Sequence, residues 1–189
     1  MKTGWTLFLD RDGVINELLP MDYVKTRNEF IFRKEVANEL ANLGNYFDYI
    51  FVITNQQGVG KGLMNADDLT DVHLFMSEKI EEAGGRIDKI YSCTHLKEVD
   101  CECRKPKPGM LHTAFREFPE ADPKKSILVG DSSSDIEMAK GFGIISVGMT
   151  HIYNMHMEWQ PEPDYKVNDL HELRLHVIPS ILQVYNHPE

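Results

Sequence analysis

Two acids one residue apart close a short apolar run near the start of the chain. Trp5, Leu7, Phe8 and Leu9 lead into Asp10-Arg11-Asp12-Gly13, which reads as a buried strand handing carboxylates to its C-terminal end. Carboxylates so placed can attack an electrophile, move a proton or hold a hard cation. An acidic turn is the plainer reading, since Asp and Gly are common turn formers. Three further polar clusters, each beyond a strand-like run, shift the balance toward chemistry. They are Thr54-Asn55-Gln56 after Tyr49 to Ile53, Arg104-Lys105-Pro106 beyond Ile87 to Tyr91, and Gly130-Asp131-Ser132-Ser133-Ser134-Asp135 after Ile127 to Val129. Strand ends of an open parallel sheet meet at one crevice, so the four clusters are expected to share a site.

A second kind of chemistry precedes Arg104. Cys93, His95, Cys101 and Cys103 are four soft or borderline ligands within eleven positions, and they include all three cysteines of the chain. Three thiols and one imidazole at this spacing suit a tetrahedral Zn(II) with no open position, hence a structural ion. An odd, clustered cysteine count argues against a disulfide framework. The loop so bound runs directly into Arg104-Lys105.

The elements that must position these groups alternate. Val36, Ala37, Leu40, Ala41 and Leu43 recur at helical spacing over residues 33–45, with Gly44 as the stop, and a strand follows over 48–53. Asn65 caps a helix over 66–82, with Asp67, Asp68 and Asp71 near its positive end and Leu69, Val72, Phe75, Met76 and Ile80 as its core stripe. On that helix His73 reads as structural or exposed. Strands over 87–92, 126–129 and 144–147 alternate with helices over 110–118 and 135–140; an edge strand over 165–167 and a helix to about residue 184 complete the series. Asn16 to Arg27 reads as an ordered loop over the site. Gln56 to Gly62 reads as a flexible turn and not a P-loop, because no Ser or Thr follows Lys61. The stretch from Thr150 to Asp164, with His151, His156 and Trp159, shows no period, and residues 186–189 are expected to fray. The expectation is an α/β protein: a three-layer Rossmann-like parallel sheet with helices on both faces and right-handed crossovers, one domain over residues 1–189.

Composition bounds the partners. With 42% hydrophobic and 26% charged residues the chain is an ordinary soluble globular sequence. The opening residues are too short a run for a leader or a membrane span, so cytoplasm is the expected location. A formal charge of -10, with no basic stripe, argues against a nucleic-acid surface. It would also repel anionic substrates at long range, so any anion site needs bound cations and a few placed Lys and Arg. The oligomeric state is left open.

In order, Asp10-x-Asp12-Gly13, Thr54-Asn55, Lys105-Pro106-x-Pro108 and Gly130-Asp131-x-x-x-Asp135 resemble the motifs of the haloacid-dehalogenase-like (HAD) phosphatase superfamily. The resemblance implies a phosphomonoester hydrolase in which Asp10 is the nucleophile, Asp12 the general acid and base, Thr54 a donor to phosphoryl oxygens and Lys105 the cation at the nucleophile. It further implies Mg(II) held by Asp10, the main-chain carbonyl of Asp12, and Asp131, with Asp135 orienting that shell or capping its helix. No inserted cap fits between the motifs. The combination of Asp10-Arg11-Asp12-Gly13, Thr54-Asn55-Gln56 and Cys93-x-His95…Cys101-x-Cys103-Arg104-Lys105-Pro106 is similar to the capless zinc-containing branch. That branch holds the D-glycero-D-manno-heptose 1,7-bisphosphate 7-phosphatases and the histidinol-phosphate phosphatases. Asn55 to Gly62, Tyr23-Val24 and Pro108-Gly109-Met110 favour the heptose enzymes, whose substrate would meet Asn55, Gln56, Gln57 and, at its second phosphate, Arg104. The five residues between His95 and Cys101, and Ser132, match that pattern less well. A non-catalytic zinc-stabilised binding module on the same fold is the alternative of a different class.

Overall fold

Leu7 and Leu9 face one side of the first strand and Phe8 the other, and this alternation sets up the layers. In the computed structural model, which describes residues 3–186, six strands form one parallel sheet in the order β3-β2-β1-β4-β5-β6. They are β1 (Thr6–Leu9), β2 (Tyr49–Asn55), β3 (Lys89–Cys93), β4 (Ser126–Gly130), β5 (Ile145–Met149) and β6 (Tyr165–Val167). The chain steps outward from β1 to β3 and then returns to β4 on the other side of β1. That reversal opens a crevice at the C-terminal ends of β1 and β4.

One face of the sheet packs Leu7, Leu9, Ile50, Val52, Ile127 and Val129 against α1 (Val36–Leu43), α3 (Ala66–Glu82) and the C-terminal helix. The other packs Phe8, Phe51, Ile53 and Leu128 against α4 (Gly109–Glu117) and α5 (Ser133–Phe142). The three-layer expectation holds. Among the described residues, the β1–β2 and β2–β3 connections carry only helices and loops, with no inserted cap. Among the described residues, no helix is long and apolar enough to cross a membrane. Met1, Lys2 and residues 187–189, where a leader and fraying were considered, lie outside the described residues.

Three local differences have physical reasons. The first helix starts at Val36 because Arg33 is drawn off to the carbonyls of Gly13 and, at 2.8 Å, Asn168, while Glu35 takes a left-handed turn at φ 59°. The expected flexible turn after Gln56 is the short helix α2 (Gln57–Gly60), where a Cβ on Gly60 would fall 2.5 Å from the Thr94 carbonyl of the cysteine loop. The last helix is α6 (Leu170–Glu172) and α7 (Ile178–Asn186) joined through a π-helical stretch over Leu173–Val177.

That C-terminal helix is fastened to α1 by buried Glu39, whose carboxylate lies 2.8 Å from His171 Nδ1 and 2.6 Å from Arg174 Nε. Arg174 and His171 together hold Glu39 below the usual carboxylate range. A carboxyl lowered on folding adds stability above its unfolded value of 4.5, and that stability is lost as pH falls through the lower folded value. Glu39→Gln is expected to lower the melting temperature at pH 7 by about 3–6 °C, as charged hydrogen bonds give way to a neutral one. Melts taken at decreasing pH check it: the gap between the two proteins should narrow as pH falls below 4.5 and through the lower folded value, and a gap independent of pH would refute the account.

Candidate active site

The four strand-end clusters meet in the crevice beside β1. Asp10 follows Leu9, and its backbone N–H donates to the Val129 carbonyl at 2.9 Å, which locks it to the end of β4. Its Oδ1 accepts from the Arg11 N–H at 2.7 Å and pairs with Lys105 Nζ at 2.8 Å; among the described residues Oδ2 accepts no hydrogen bond. Lys105, only 4% exposed, also lies 2.6 Å from Asp135 Oδ1 and donates to the Ile53 carbonyl at 3.1 Å. Lys107 turns away to Asp100 at 2.8 Å and Glu102 at 3.2 Å, so the lysine at the crevice is Lys105.

Asp10, Asp131 and Asp135 each offer an oxygen within 4.8 Å of the others. Three carboxylates, those of Asp10 and Asp135 buried and that of Asp131 partly so, share one ammonium and leave uncompensated negative charge. Burial pushes Asp10 well up; Lys105 opposes this, and Asp135 and Asp131 add to it. Asp131 is raised for the same reason, burial first, with His151 opposing. Burial alone would lower Lys105, but Asp10 and Asp135 hold it above its ordinary value. Such a donor set fits a hard divalent cation, which would compensate the crowded negative charge. Gly13, at φ 81°, lets the chain press against this set: a Cβ there would fall 2.0 Å from Asp131 Oδ2. Asp135 caps its helix, closing a capping box on α5 with Ser132, whose N–H donates to it at 3.2 Å, and it also pairs with Lys105.

Asp12 points elsewhere. Arg11 Nη2 donates to both of its oxygens at 3.0 Å, Asn16 Nδ2 donates to Oδ1 at 2.9 Å, and Gln56 Nε2 donates to Oδ2 at 2.7 Å. Burial would raise Asp12, but Arg11, Asn16 and Gln56 hold it below the usual range. Its side chain is therefore outside the three-acid cluster, leaving its carbonyl as its route to a cation. Arg11 itself has no exposed surface, and its Nη1 lies 3.2 Å from His73 Nε2. Burial and the Arg11 charge pull His73 down to about 3, so it is neutral and accepts.

Two residues expected on the substrate are engaged with protein instead. Asn55 accepts from the Lys105 N–H at 3.1 Å and donates to the Lys105 carbonyl at 3.3 Å, so both ends of its amide hold that peptide. Gln56 is fully buried and shares its Nε2 between Asp12 and Thr54 Oγ1, the latter at 2.8 Å. In this arrangement Asn55 supports Lys105, and Gln56 supports Asp12 and Thr54. Thr54, itself buried, accepts from Gln56 and keeps its hydroxyl proton for a further acceptor; Gln57 is buried at the start of α2.

The cysteine loop forms one cluster. Cys93 Sγ lies 3.1 Å from Cys103 Sγ and 3.5 Å from Cys101 Sγ, Cys101 and Cys103 are 3.5 Å apart, and His95 Nδ1 stands 3.2 Å from Cys103 and 3.7 Å from Cys93. These sulfurs are too far apart for a disulfide and close to the edge of about 3.7 Å that a tetrahedron with Zn–S of about 2.3 Å requires. Beside the loop a cavity of about 250 Å³ is lined by Lys97, Arg104, Lys105 and Lys107, and Arg104 Nη1 is buried there with no hydrogen-bond partner. Asp100 lines it too, and Lys105 and Lys107 are already paired with acids, so Lys97 and Arg104 are the cations here that could admit an anion to a chain of net -10.

The stretch over 150–164 reaches the site as well, which its sequence pattern did not announce. His151 Nε2 lies 2.8 Å from Asp131 Oδ2, and Asn154 Nδ2 donates to the carbonyls of Asp131 at 2.8 Å and Met149 at 2.9 Å. Trp159 anchors the same stretch, buried against Gly148. The only signal was an Asn and a His just past a strand end.

A family model described as HAD-hydrolase-like matches residues 102–173. The chain is 44% identical over 135 residues, 71% of each protein, to a D-glycero-alpha-D-manno-heptose-1,7-bisphosphate 7-phosphatase of Mycobacterium bovis. It is 40% identical over 144 residues to the beta-heptose enzyme of Rhodopseudomonas palustris, covering 72% of this chain and 78% of that one. A crystal structure of D,D-heptose 1,7-bisphosphate phosphatase from B. bronchiseptica, complexed with magnesium and phosphate, superposes with a TM-score of 0.83 at 29% identity over 97% of this chain and 99% of the other.

Proposed function

Since the chain belongs to the HAD-like phosphatases, among the heptose-1,7-bisphosphate 7-phosphatases, we propose that it removes the 7-phosphate of D-glycero-D-manno-heptose 1,7-bisphosphate. The observation that carries the chemistry is the buried Asp10–Lys105–Asp135 chain of charges with Asp131 alongside. Asp10 Oδ1 is held by Arg11 N–H and Lys105, which leaves Oδ2 as the atom that attacks phosphorus. Against the effect of burial, Arg11, Asn16 and Gln56 favour the ionised form of Asp12 in the free protein, so as substrate binds it first takes up a proton from solvent. As the bond to the sugar oxygen breaks it gives that oxygen this proton, and in the second half it takes a proton from the water that cleaves the aspartyl phosphate. Lys105 and the Thr54 hydroxyl meet the charge that develops on the phosphoryl oxygens. Arg104, with its unpartnered buried nitrogen, receives the second phosphate from the neighbouring cavity.

Magnesium fits the acid cluster, with Asp10, Asp131 and the Asp12 carbonyl as holders; when bound it supplies Lewis-acid charge to the phosphoryl group. Zinc fits Cys93, His95, Cys101 and Cys103 and orders the loop ahead of Arg104. The substrate is a small phosphorylated sugar in this reading, and the single domain works in the cytoplasm. Phosphate release from the alpha and beta heptose bisphosphates and from histidinol phosphate tests it. The expected result is a kcat/KM at least tenfold higher on one of the heptose anomers; a preference for histidinol phosphate would overturn the assignment.

Asn154 gives a separate prediction. Its amide fixes the backbone that carries Asp131, and groups behind a metal ligand commonly set its affinity. Asn154→Ala is expected to weaken Mg(II) binding by about 10- to 100-fold. Titration calorimetry on the zinc-loaded protein would read this directly, and an unchanged affinity would show that the 150–164 stretch only covers the site.

A further inference from the structure

One buried polar chain remains unused by the chemistry above. Arg11 touches Asp12 through a single nitrogen, Nη2, which is shared between both carboxylate oxygens. A guanidinium held at one nitrogen can pivot about it. Its Nε is buried with no partner, so the second anchor is Nη1, 3.2 Å from His73 Nε2 on α3, sixty-two positions along the chain. Burial of Arg11 keeps it from any ligand, so its one polar outlet toward the crevice is Asp12.

We infer that His73 is a positioning residue for proton transfer to the leaving oxygen: by fixing the Arg11 guanidinium, it fixes the Arg11 side of the Asp12 carboxyl, whose other contacts come from Asn16 and Gln56. The inference rests on the reading of Asp12 as the acid. In that step Asp12, having taken a proton from solvent on binding, gives it up: the P–O bond to the alcohol breaks, its electron pair stays on oxygen, the Asp12 O–H bond breaks to protonate that oxygen, and Asp12 returns to the carboxylate that Arg11, Asn16 and Gln56 hold. The benefit must therefore scale with how much the leaving oxygen needs a proton. A sugar alkoxide needs it greatly, a phenolate less, and a p-nitrophenolate hardly at all.

The experiment compares kcat/KM, which reports the steps through departure of the alcohol, on heptose 1,7-bisphosphate, phenyl phosphate and p-nitrophenyl phosphate, with the full-length magnesium- and zinc-loaded protein. His73→Phe removes the acceptor and keeps a ring of similar shape; His73→Gln restores an acceptor. The expected result for His73→Phe is a loss at least tenfold greater on the heptose substrate than on p-nitrophenyl phosphate, with phenyl phosphate between them. His73→Gln should recover most of that ratio, and its folding is the safeguard if the Phe variant is unstable. Equal losses on all three substrates, or none, would mean that His73 is only packing, and the inference would fall. Asp12→Asn provides the reference: if it too leaves the ratio untouched, Asp12 is not the acid, and the underlying reading fails together with the inference.

Discussion

Asp10→Asn is expected to reduce phosphate release by on the order of ten thousandfold, about 5 kcal/mol of transition-state stabilisation, without weakening the fold. Asparagine keeps the carbonyl oxygen that accepts the Arg11 N–H, so the turn after β1 has no reason to move. It cannot form the acyl phosphate, because an amide oxygen is a poor nucleophile and the side chain no longer carries charge. The same change removes one of three crowded carboxylates near Lys105; burial first, and the neighbouring acids second, push Asp10 and Asp131 up. The melting temperature of the metal-free protein should therefore stay level or rise while turnover collapses, the opposition expected where a site is strained for function. Steady-state kinetics and a thermal melt on the same preparation check both halves. Turnover within tenfold of the parent would remove Asp10 from the chemistry, and a large drop in melting temperature would show the loss to be one of folding.

The sequence is legible where chemistry and local physics coincide. Asp10 and Asp131 follow buried strands, so their convergence was readable from strand order alone. Helix α3 begins at Ala66 because Asn65 and Asp68 form a capping box whose two members are three residues apart. The partners of Asn55, Gln56, Arg11 and Asp131 are another matter. Asn55 meets Lys105 fifty positions on, Gln56 meets Asp12 forty-four positions back, and His151 meets Asp131 twenty positions back. Each pairing exists only once the sheet has brought two loops together, and no periodicity records it. An amide beside a motif reads equally well as a hand for substrate or a brace for the catalytic groups. Asn55 and Gln56 brace Lys105, Asp12 and Thr54 through their amides.

Cys101→Ser is expected to empty the zinc site and cost about a hundredfold in kcat/KM, although Cys101 touches no reacting atom. Cys93 lies at the end of β3, where its carbonyl accepts the Gln56 N–H at 2.7 Å; Cys101 and Cys103 lie on the far side of the loop, one residue ahead of Arg104 in the case of Cys103. Binding all four ligands therefore ties the sheet edge to the segment that carries Arg104 and Lys105, with about 10 kcal/mol or more of apparent metal binding available to order it. Without the ion, Cys93 and Cys103 stay protonated: burial raises both, and Cys103 is pushed up to about 12, so serine at position 101 leaves a weak donor set of two reluctant thiols and one imidazole. The loop then drifts. Lys105 must stay within 2.8 Å of Asp10 and 2.6 Å of Asp135 to serve the phosphoryl group, and a shift of an ångström at such a site commonly costs two orders of magnitude. The loss should fall more heavily on a bisphosphate than on p-nitrophenyl phosphate, because Arg104 is displaced along with Lys105. Elemental analysis for zinc, Mg(II) titration and kinetics on both substrates separate the effects: zinc gone, magnesium affinity kept and bisphosphate turnover most reduced. Full zinc content with unchanged turnover would break the link between this loop and the crevice.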